Sequence, residues 1–512
     1  MIKRSLLLCF MFMAMTLSAA QPDEPLRRSL SLPKQKSTVY ELLNRIGELS
    51  GYNFIYDSKI TDNDRKVKMA AGAYTLRNAI FYVLGSDDFT LKVVDRYILI
   101  DKKQEPHTFI AATQPLSKND SLTYLYISGT VFDKANNIPV SDCTVSIDGT
   151  SIGTVANADG RFTLKLPPAL HESTLHISHI GYESRQIPLA LLSGSQRTVY
   201  LNQRIVPLQE VIVRMVNPRK IVQEAVEFRN RNYPSQPSLL TTFYREGIER
   251  KQELLYLSEA IFKVFKPAYS SESDDQMKLL KMRKITNQAN RDTLVLKMKA
   301  GPDASLLLDL MKHIPDFMEI DDTNPFNYTK IDMVTYDSRL AHVVAFEPKK
   351  EVEEPYYRGK LYIDAVNSAL LRAEFEVDPL HINDAASLFI VKRGKDVLIR
   401  PQQVVYSVTY KEWNGKYYIN HLRGDLYFKM KTKRQFFYSP MHIFFESATC
   451  KIDTADVKPF PRSERLPTRK IFADTQFTYD NAFWGDFNII LPRESLIEAI
   501  DKIAPKAEAS EE

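Results

Sequence analysis

The chain has 512 residues, of which 44% are hydrophobic and 11% aromatic. It is too long for a single hydrophobic core, and about three domains are expected. With 68 basic and 63 acidic residues the formal net charge is +5, and no basic stripe or polybasic run stands out, which argues against nucleic acid as a partner. The 26 Tyr and 27 Phe, against 2 Trp and 17 Gly, favour a β-rich protein.

Residues 1–20 have the pattern of a secretory signal peptide. Lys3 and Arg4 precede the apolar stretch Leu6 to Leu17, and the small residues Ser18-Ala19-Ala20 precede Gln21. Cleavage there would remove two basic residues and no acidic one, lowering the formal net charge from +5 to +3. An uncleaved membrane anchor is the alternative, but the apolar stretch is short for a bilayer-spanning helix.

The cysteines indicate little covalent cross-linking. Cys9 lies inside the apolar stretch without a small residue before it, so lipidation is not expected. Cys143 and Cys450 then remain, each in a strand-like run of a different domain. A disulfide could form in an oxidising compartment, but two buried free thiols are predicted.

Residues 29–103 are predicted to form a small two-layer α+β domain with the order β-α-β-β-α-β-β. Thr38 to Glu41 is a capping-box pattern, followed by apolar residues at helical spacing up to Gly51. Thr75 begins a second helix that ends at Gly85. The predicted strands are 52–56, 66–69, 89–94 and 96–100.

This first domain resembles the STN module, the short N-terminal domain of secretins and TonB receptors. The resemblance rests on Ser31-Leu-Pro-Lys-Gln35, on the Gly51-Tyr-Asn-Phe54 break, and on the closing segment 89–103. It implies a periplasmic location and contacts with other envelope proteins. Residues 104–124, with Pro106 and Pro115, are predicted to be a linker.

Residues 125–204 show short apolar runs separated by turn signals, the pattern of a small antiparallel β domain. Asp159-Gly160 is predicted to form a tight hairpin turn, with Phe162 and Leu164 pointing inward behind it. Gly181 is expected to adopt a backbone conformation that a Cβ would hinder. We interpret the domain as a rigid spacer that carries no chemistry.

This second domain resembles the carboxypeptidase-regulatory-like β-sandwich. The matching residues are Gly129-Thr-Val131, Pro139-Val140, Val145-Ser-Ile147, Gly153-Thr154, Asn157 to Phe162 and Ile180-Gly-Tyr-Glu183. Members of this class are not peptidases. The resemblance implies an N-terminal module of TonB-dependent and other outer-membrane proteins, especially in Bacteroidetes-type bacteria.

Residues 217–505 are predicted to be a β-rich domain with flanking helices. Asn217-Pro218 begins a helix up to Asn232, and strand patterns fill most of 240–450 around the hairpin signal Asn414-Gly415. Short helices are predicted over 305–313 and 492–503. The strands at 359–364 and 370–375 resemble lipoprotein-carrier half-barrels, which would imply an open antiparallel sheet around an apolar groove.

Candidate catalytic and metal-binding patterns have simpler structural explanations. His176 and His179 would face opposite sides of a strand. Five aspartates fit turns better than calcium loops, and the acidic residues near 351–354 are typical of a solvated surface. No serine elbow, phosphate loop or zinc pattern is present. We therefore predict no catalytic, cofactor-binding or metal-binding residue and no enzymatic activity. The aspartates are Asp120, Asp133, Asp142, Asp148 and Asp159, and the glutamates are Glu351, Glu353 and Glu354.

Aromatic residues recur in the strands between 406 and 438. They are compatible with a hydrophobic groove, with the aromatic girdles of a membrane barrel, or with a sheet core plus surface tyrosines, and the last is favoured. The residues are Tyr406, Tyr410, Trp413, Tyr417, Tyr418, Tyr427, Phe428, Phe436, Phe437 and Tyr438.

Together these patterns predict a multidomain, mainly β protein: a signal peptide (1–20), an STN-like α+β domain (29–103), a linker (104–124), an Ig-like or transthyretin-like β-sandwich (125–204) and an antiparallel β-rich α+β domain (217–505). The leading hypothesis is a non-enzymatic protein of the periplasm and outer membrane. Its STN-like domain would contact envelope proteins, and its C-terminal domain would bind a hydrophobic ligand such as a lipid, or a peptide or glycan. An outer-membrane β-barrel accessory or transport protein and a hydrolase with dispersed catalytic residues are the alternatives.

Overall fold

The structure is a computed structural model that describes residues 25–56, 65–94, 97–102, 124–192, 197–204, 217–251, 253–286, 297–298, 301–337, 339–350, 356–384, 390–392, 397–433, 435–466 and 484–500. The signal peptide, most of the linker, Asp120 and the acidic residues at 351–354 lie outside these ranges. The chain forms two compact units, Met1–Leu116 and Ser117–Glu512, and each is described by itself.

In the described residues of the first unit, two helices pack with seven short strands. The helices are α1 (Val39–Ser50) and α2 (Leu76–Leu84); the strands are β1 (Ser29–Leu32), β2 (Gln35–Thr38), β3 (Asn53–Tyr56), β4 (Lys66–Met69), β5 (Gly72–Thr75), β6 (Phe89–Val94) and β7 (Tyr97–Lys102). Strands β3, β7 and β6 form one sheet, and β1–β5 and β2–β4 form two antiparallel pairs. The apolar faces of both helices close the core.

The helix ends in this unit follow the predicted signals. Thr38 and Glu41 form a complete capping box at the start of α1. Gly51 and Gly85 end the two helices in the left-handed conformation that glycine adopts without strain. The predicted order has one strand before α1, whereas the structure has two, β1 and β2, and it also has β5 before α2; these strands pair with segments distant in sequence.

The sandwich has two sheets. The first has the order β10-β9-β12-β13 and the second β11-β8-β14. The strands are β8 (Leu125–Asp133), β9 (Thr144–Ile147), β10 (Gly153–Val155), β11 (Arg161–Leu166), β12 (Thr174–Ser178), β13 (Arg185–Pro188) and β14 (Arg197–Leu201). Phe162 and Leu164 are buried, as predicted. The expectation of an entirely antiparallel domain is wrong at one pair, because β14 runs parallel to β8.

The prediction of a hairpin at Asp159-Gly160 is also wrong. The turn connects β10 and β11, which belong to different sheets. The Asn157 side chain accepts from the backbone N–H groups of Asp159 and Arg161 and so shapes the turn locally. Gly160 has a φ of 71°, and a Cβ there would lie 2.4 Å from the Val131 carbonyl oxygen. The glycine thus permits a crossing between sheets.

The rest of the second unit is dominated by one ten-stranded antiparallel sheet. Its order is β17-β16-β15-β26-β25-β24-β22-β21-β20-β19. The strands are β15 (Ser238–Arg250), β16 (Glu253–Lys266), β17 (Gln276–Thr286), β19 (Phe326–Tyr336), β20 (Arg339–Pro348), β21 (Tyr357–Asp364), β22 (Leu370–Val377), β24 (Val397–Trp413), β25 (Lys416–Thr432) and β26 (Ser439–Asp453). A separate short pair is formed by β18 (Lys297–Met298) and β23 (Ile390–Lys392). This architecture confirms the predicted mainly β fold class.

Three short helices and a terminal helix accompany this sheet. They are α3 (Pro218–Glu227), α4 (Arg229–Asn232), α5 (Pro302–Leu307) and α6 (residues 494–500). Single 3₁₀ turns occur at Pro25–Arg27, Pro168–Leu170, Leu189–Leu191 and Arg462–Glu464. Within the described ranges, every helix is too short or too polar to cross a lipid bilayer.

The two faces of the large sheet differ. One face, here called the inner face, carries Leu240, Tyr244 and Phe262 and forms the main core with α3 and the segment around α5. The opposite, outer face carries Phe243, Arg245 and Glu259, and it is covered near its middle by residues 484–500 and by the sandwich. The strand alternation places these two sets on opposite sides.

Several element boundaries differ from the prediction. The helix predicted up to Asn232 is divided into α3 and α4 at Phe228. The helix expected at 305–313 lies at Pro302–Leu307, because Pro302 occupies its first turn. Residues 416–421 and 425–431, predicted as separate strands, form the single strand β25. Gly424 does not interrupt it: a Cβ there would lie 2.4 Å from the Phe445 ring, so glycine permits close packing between adjacent strands.

Candidate ligand site on the large sheet

A small cavity lies on the inner face beneath α5. Its volume is about 30 Å³, enough for one water-sized molecule. Strands β15, β16, β25 and β26 contribute its walls, and Leu306 of α5 contributes its roof. Most of the exposed lining surface is apolar, and Met277 of β17 adds to it. The apolar lining residues of the strands are Leu240, Phe262, Val264, Met277, Ile419 and Leu422, and the polar ones outside the charged end are Thr242, Ser305, Asn420, Ser447 and Thr449.

One end of this cavity is charged. The Lys266 ammonium pairs with Asp275 and lies 2.9 Å from an Asp309 oxygen, and all three side chains are almost fully buried. The hydroxyls of Tyr269 and Tyr410 donate to the Asp309 carboxylate at 2.8 and 2.9 Å. The cavity therefore combines an apolar body with one hydrogen-bonded ionic end.

The charges at this end are mutually compensated. Burial alone would lower the pKa of Lys266, but Asp275 and Asp309 raise it above its ordinary value. Burial and the Asp309 charge raise the pKa values of Tyr269 and Tyr410, so both hydroxyls remain protonated donors. The cluster is thus a fixed dipolar surface rather than a group ready to transfer a proton at neutral pH.

A second charged cluster occupies the outer face and is centred on Arg245. Its Nε donates to Glu259 at 2.6 Å and its Nη1 to Glu446 at 2.7 Å. Arg283 also donates to Glu259, and Arg423 lies 3.5 Å from Glu446. Burial by itself would raise the pKa of Glu446, but the charge of Arg245 lowers it well below its usual range. This carboxylate is therefore ionised and cannot serve as a general acid.

Backbone carbonyls of the C-terminal segment complete the arginine's hydrogen bonds. Arg245 Nη2 donates to the carbonyl of Ile490 at 2.8 Å. The side chain of Trp484 lies over Arg283, with the guanidinium carbon 4.9 Å from the ring centroid. The outer-face cluster is consequently buried beneath residues 484–491 and holds that segment in place.

His421 lies beside the same cluster. Its ring nitrogens are 3.8 Å from Asp142 of the sandwich and 3.9 Å from Glu446, and neither nitrogen has a hydrogen-bond partner in the structure. Within the described residues, no group of three or more His, Cys, Asp or Glu side chains has the geometry to hold a metal ion. His421 was not singled out from the sequence.

A larger groove of about 360 Å³ lies across strands β20, β21, β22 and β24. Two of its glutamates are paired with arginines: Arg358 of β21 donates to Glu376 of β22 at 2.7 Å, and Arg372 donates to Glu374 within β22 at the same distance. A cross-strand pair such as the first stabilises a solvated sheet face. The groove is open, and its ionic rim gives less basis for a specific ligand than the cavity beneath α5.

The two histidines considered as metal ligands make different contacts. His176 Nε2 is 2.8 Å from Asp337 and its Nδ1 is 3.8 Å from Asp148. His179 lies after β12, with its Nδ1 at 2.8 Å from the Ile180 carbonyl and its ring against Tyr182. His176 also borders a polar cavity of about 50 Å³ between the sandwich and the sheet, to which Lys411 contributes.

The described aspartates have several roles. Asp133 accepts from Ala135 N–H and from the Tyr182 hydroxyl, so it organises a turn. Asp159 accepts from the backbone N–H of Glu494. Asp148 is near His176, and Asp142 near His421.

The cysteine prediction is confirmed. Cys143 and Cys450 are both free and buried. Burial raises the pKa of the Cys450 thiol to about 11 and that of Cys143 well above its ordinary value. Neither thiol is therefore an active nucleophile at neutral pH.

The aromatic residues singled out between 406 and 438 differ in burial. Tyr406, Tyr410, Tyr417, Tyr418 and Phe428 are buried and belong to the core, as favoured from the sequence. Phe436 and Phe437 are instead almost fully exposed in the connection between β25 and β26. The sequence pattern alone did not separate these two groups.

Comparisons with known proteins identify one domain. Residues 127–213 match the model of the CarboxypepD_reg-like domain, which agrees with the observed sandwich. No curated protein matches the chain.

Three solved structures show low similarity to the chain. One is an outer membrane lipoprotein-sorting protein domain from Vibrio parahaemolyticus, with 11% identity, 48% of this chain and 95% of that chain covered, and a TM-score of 0.22. A DUF1329 family protein from Desulfovibrio piger has 13% identity, coverage of 48% and 99%, and a TM-score of 0.21. A lipovitellin structure has 7% identity, coverage of 44% and 27%, and a TM-score of 0.20.

Proposed function

We propose that the protein is a non-enzymatic binding protein of the cell envelope and that its large sheet binds an amphiphile with an apolar chain. The observation that carries this proposal is the apolar cavity beneath α5 with the Lys266–Asp309 pair at one end. Apolar walls with a few fixed polar groups are the usual composition of a small-molecule site. The export pattern of residues 1–20 supports the envelope location.

The lining favours an apolar chain over a peptide or a glycan. Apolar side chains provide most of the exposed cavity surface, and the polar ones are mainly short hydroxyl groups and the Lys266–Asp309 pair, whereas a glycan needs many polar partners for its hydroxyls. A peptide would more readily add to an outer strand of the sheet through backbone hydrogen bonds. The ionic end offers donors and acceptors for a single polar head group.

Binding requires α5 to move away from the sheet, because the cavity of about 30 Å³ is smaller than an acyl chain. The helix has only six residues, and Leu307 on its outer side is 63% exposed. A helix this short has little stability of its own and depends on its packing contacts. A ligand that replaced the contacts of Leu306 would therefore stabilise an opened arrangement.

The charged clusters support the non-enzymatic part of the proposal. Arg245, Glu259 and Glu446 are paired and covered by the C-terminal segment, so a substrate would have to displace that segment to reach them. In the Lys266 cluster, the ammonium group is likewise paired with both Asp275 and Asp309. A catalytic acid or base needs access and a pKa near the working pH, whereas the pKa of Glu446 is lowered and that of Lys266 is raised.

Filling the cavity tests the ligand proposal. The probe is cis-parinaric acid, a fatty acid whose fluorescence rises in apolar surroundings, titrated into the chain from Gln21 onward. We expect Leu306→Phe to weaken binding by about tenfold or more, because the larger ring occupies the space that the chain must enter. The matched control is Leu307→Phe, on the exposed side of the same helix, which should leave the affinity within about twofold.

The outcome that contradicts the proposal is equally specific. Equal affinities of both variants and the unaltered chain would place the probe elsewhere, and an unaltered chain that binds no probe would remove the basis for a lipid-like ligand. Circular dichroism and denaturation midpoints of both variants establish that the fold is retained.

A further inference from the structure

Two adjacent phenylalanines project from one end of the large sheet. Phe436 is 91% exposed and Phe437 is 84% exposed, both in the connection between β25 and β26. Burying large aromatic side chains is strongly favourable, so a pair left in water at the end of a hairpin is unusual. We call the described residues of 433–438 the hairpin tip.

The hairpin tip has defined local contacts. The Gln435 backbone N–H donates to the Thr432 carbonyl at 3.0 Å, and the Gln435 side-chain oxygen accepts from the Thr432 N–H at 3.1 Å. The Tyr438 ring packs against two cations, Arg400 at 4.6 Å and Lys431 at 4.9 Å from its centroid. These contacts fix the turn while Phe436 and Phe437 remain without cover.

Basic residues surround the exposed pair. Lys429 and Lys433 flank it on β25 and in the tip, beside Arg400 and Lys431. No acidic residue occurs among the described positions of 397–401 and 427–441. The neighbouring turn between β15 and β16 contributes Arg250 and Lys251, together with the acidic Glu253 opposite Arg250, and the Lys251 N–H donates to the Pro440 carbonyl at 3.2 Å. This end of the sheet thus combines apolar rings with a local excess of positive charge.

We propose that the hairpin tip binds the surface of an anionic lipid bilayer, with Phe436 and Phe437 inserted among the lipids and the basic residues at the phosphate level. Aromatic rings favour the interfacial region, and lysine and arginine near a membrane gain from anionic head groups. The long aliphatic part of a lysine side chain can lie against the membrane while its ammonium group stays in water.

A bilayer fits this surface better than a protein partner does. Two phenylalanines offer at most about 500 Å² of apolar surface, whereas a stable protein interface buries roughly 1,200–2,000 Å². A bilayer needs no complementary pocket and accepts a small protruding wedge. This proposal goes beyond ligand binding on the inner face and does not depend on it.

The test measures vesicle binding by the chain from Gln21 onward, because residues 1–20 are themselves apolar enough to bind lipid. The probes are vesicles of phosphatidylcholine with a quarter phosphatidylglycerol, and vesicles of phosphatidylcholine alone, separated by flotation. We expect binding to the anionic vesicles that falls by about tenfold or more in Phe436→Ser/Phe437→Ser. The matched control is Val366→Ser/Leu380→Ser, two other highly exposed apolar residues, which should bind like the unaltered chain.

A variant that removes positive charge separates the electrostatic contribution to vesicle binding from the contribution of the inserted phenylalanines. Lys429→Gln/Lys431→Gln/Lys433→Gln should weaken binding to anionic vesicles several-fold, and added salt should do the same to the unaltered chain. The control Lys360→Gln/Lys451→Gln/Lys458→Gln should have no such effect. Failure of the unaltered chain to bind anionic vesicles at low salt, or unchanged binding in the double-serine variant, would overturn the proposal. Concentration-dependent self-association that the double-serine variant abolishes, without vesicle binding, would also overturn it in favour of a protein contact.

Discussion

At the residue scale, Arg245 shows how one buried side chain can join separate parts of the fold. It lies on β15 but contacts Glu259 on β16, Glu446 on β26 and a carbonyl in the C-terminal segment. A buried ion pair repays its desolvation only when the remaining donors and acceptors are satisfied. The carbonyl of Ile490 helps to satisfy this condition.

Replacing Arg245 should therefore be costly. We expect Arg245→Ala to lower the free energy of unfolding by about 3–5 kcal/mol, since it leaves Glu446 buried without its closest partner. Urea denaturation followed by tryptophan fluorescence measures the change, because Trp484 lies beside this cluster. The control is Arg358→Ala on an exposed pair, 46% accessible, where a loss below about 1 kcal/mol is expected. A similar loss of unfolding free energy in both variants would show that Arg245 stabilises the fold no more than an exposed paired arginine does.

The sequence carried a weak signal for this residue. Phe243-Tyr-Arg-Glu246 places two charged residues inside an apolar strand pattern, and such residues are rarely buried unless they are paired. The pairing itself joins positions about 200 residues apart and depends on strand order, so it could not be derived from periodicity.

At the element scale, the features that could be predicted are those set by local chemistry. The capping box at Thr38, the glycine helix ends and the Asn414-Gly415 turn all depend on neighbouring residues, and all are present. The parallel pair of β14 with β8 and the sheet crossing at Gly160 depend on long-range pairing. Hydrophobic alternation is the same for both strand directions, so it could not reveal them.

The segment 484–500 is an element whose role was missed. Its sequence predicted only a terminal amphipathic helix. In the structure it lies between the sandwich and the outer face: Thr154 donates to the Ile489 carbonyl at 2.9 Å, and Asn488 accepts from the Lys165 N–H at 2.6 Å. The thiol of Cys450 lies 3.3 Å from the Asn488 carbonyl on the other side. The segment therefore joins the large sheet to the sandwich, although Ile489 and its partner Thr154 are 335 residues apart in the chain.

Removing this segment should expose one thiol and not the other. In a chain of residues 21–483, Cys450 should react with a soluble disulfide reagent about tenfold faster or more than in the full mature chain, because Trp484, Ile489 and Ile490 no longer cover it. Cys143 is the internal control, since it is fully buried in the sandwich. Cys143→Ala and Cys450→Ala variants assign each rate. Equal acceleration of both thiols would indicate general unfolding, and no acceleration would contradict the covering role.

At the scale of the whole molecule, the second unit has two distinct ends. Near Asn414-Gly415, sandwich contacts join the sheet through Ser151 and the Ile452 carbonyl. At the other end, the hairpin tip presents exposed aromatic and basic residues. The inner-face cavity lies within the sheet. In the proposed arrangement, a membrane-facing end and the sandwich lie on opposite sides of the ligand site.

Histidines distributed over this unit give its stability a pH optimum. Burial opposes protonation of His176 and His442, but carboxylates raise both pKa values above the ordinary one. His442 faces Asp425 and Glu249, which are also paired with Arg423 and Arg493. A raised pKa contributes stability that is complete below the unfolded value, near 6.5, and is lost as pH rises through the folded value.

His179 has a lowered pKa, so its effect on stability depends on pH in the opposite direction. Burial and the charge of Arg372 lower its pKa to about 4, so the unfolded chain takes up a proton below pH 6.5 that the folded chain refuses until about pH 4. Stability contributed by its neutral form is therefore lost as pH falls through this range. Burial lowers the pKa values of His313 and His342 in the same direction. The combined effect predicts greatest stability near pH 6.5.

Denaturation midpoints between pH 4.5 and 8.5 test this balance. We expect His176→Gln/His442→Gln to flatten the decline on the alkaline side, because the variant loses the groups that release protons there. His179→Gln should instead flatten the decline on the acidic side and leave the alkaline side unchanged. If both variants changed the same side, at least one of the assigned pKa directions would be wrong. If neither changed the profile, the optimum would arise from the carboxylates rather than from these histidines.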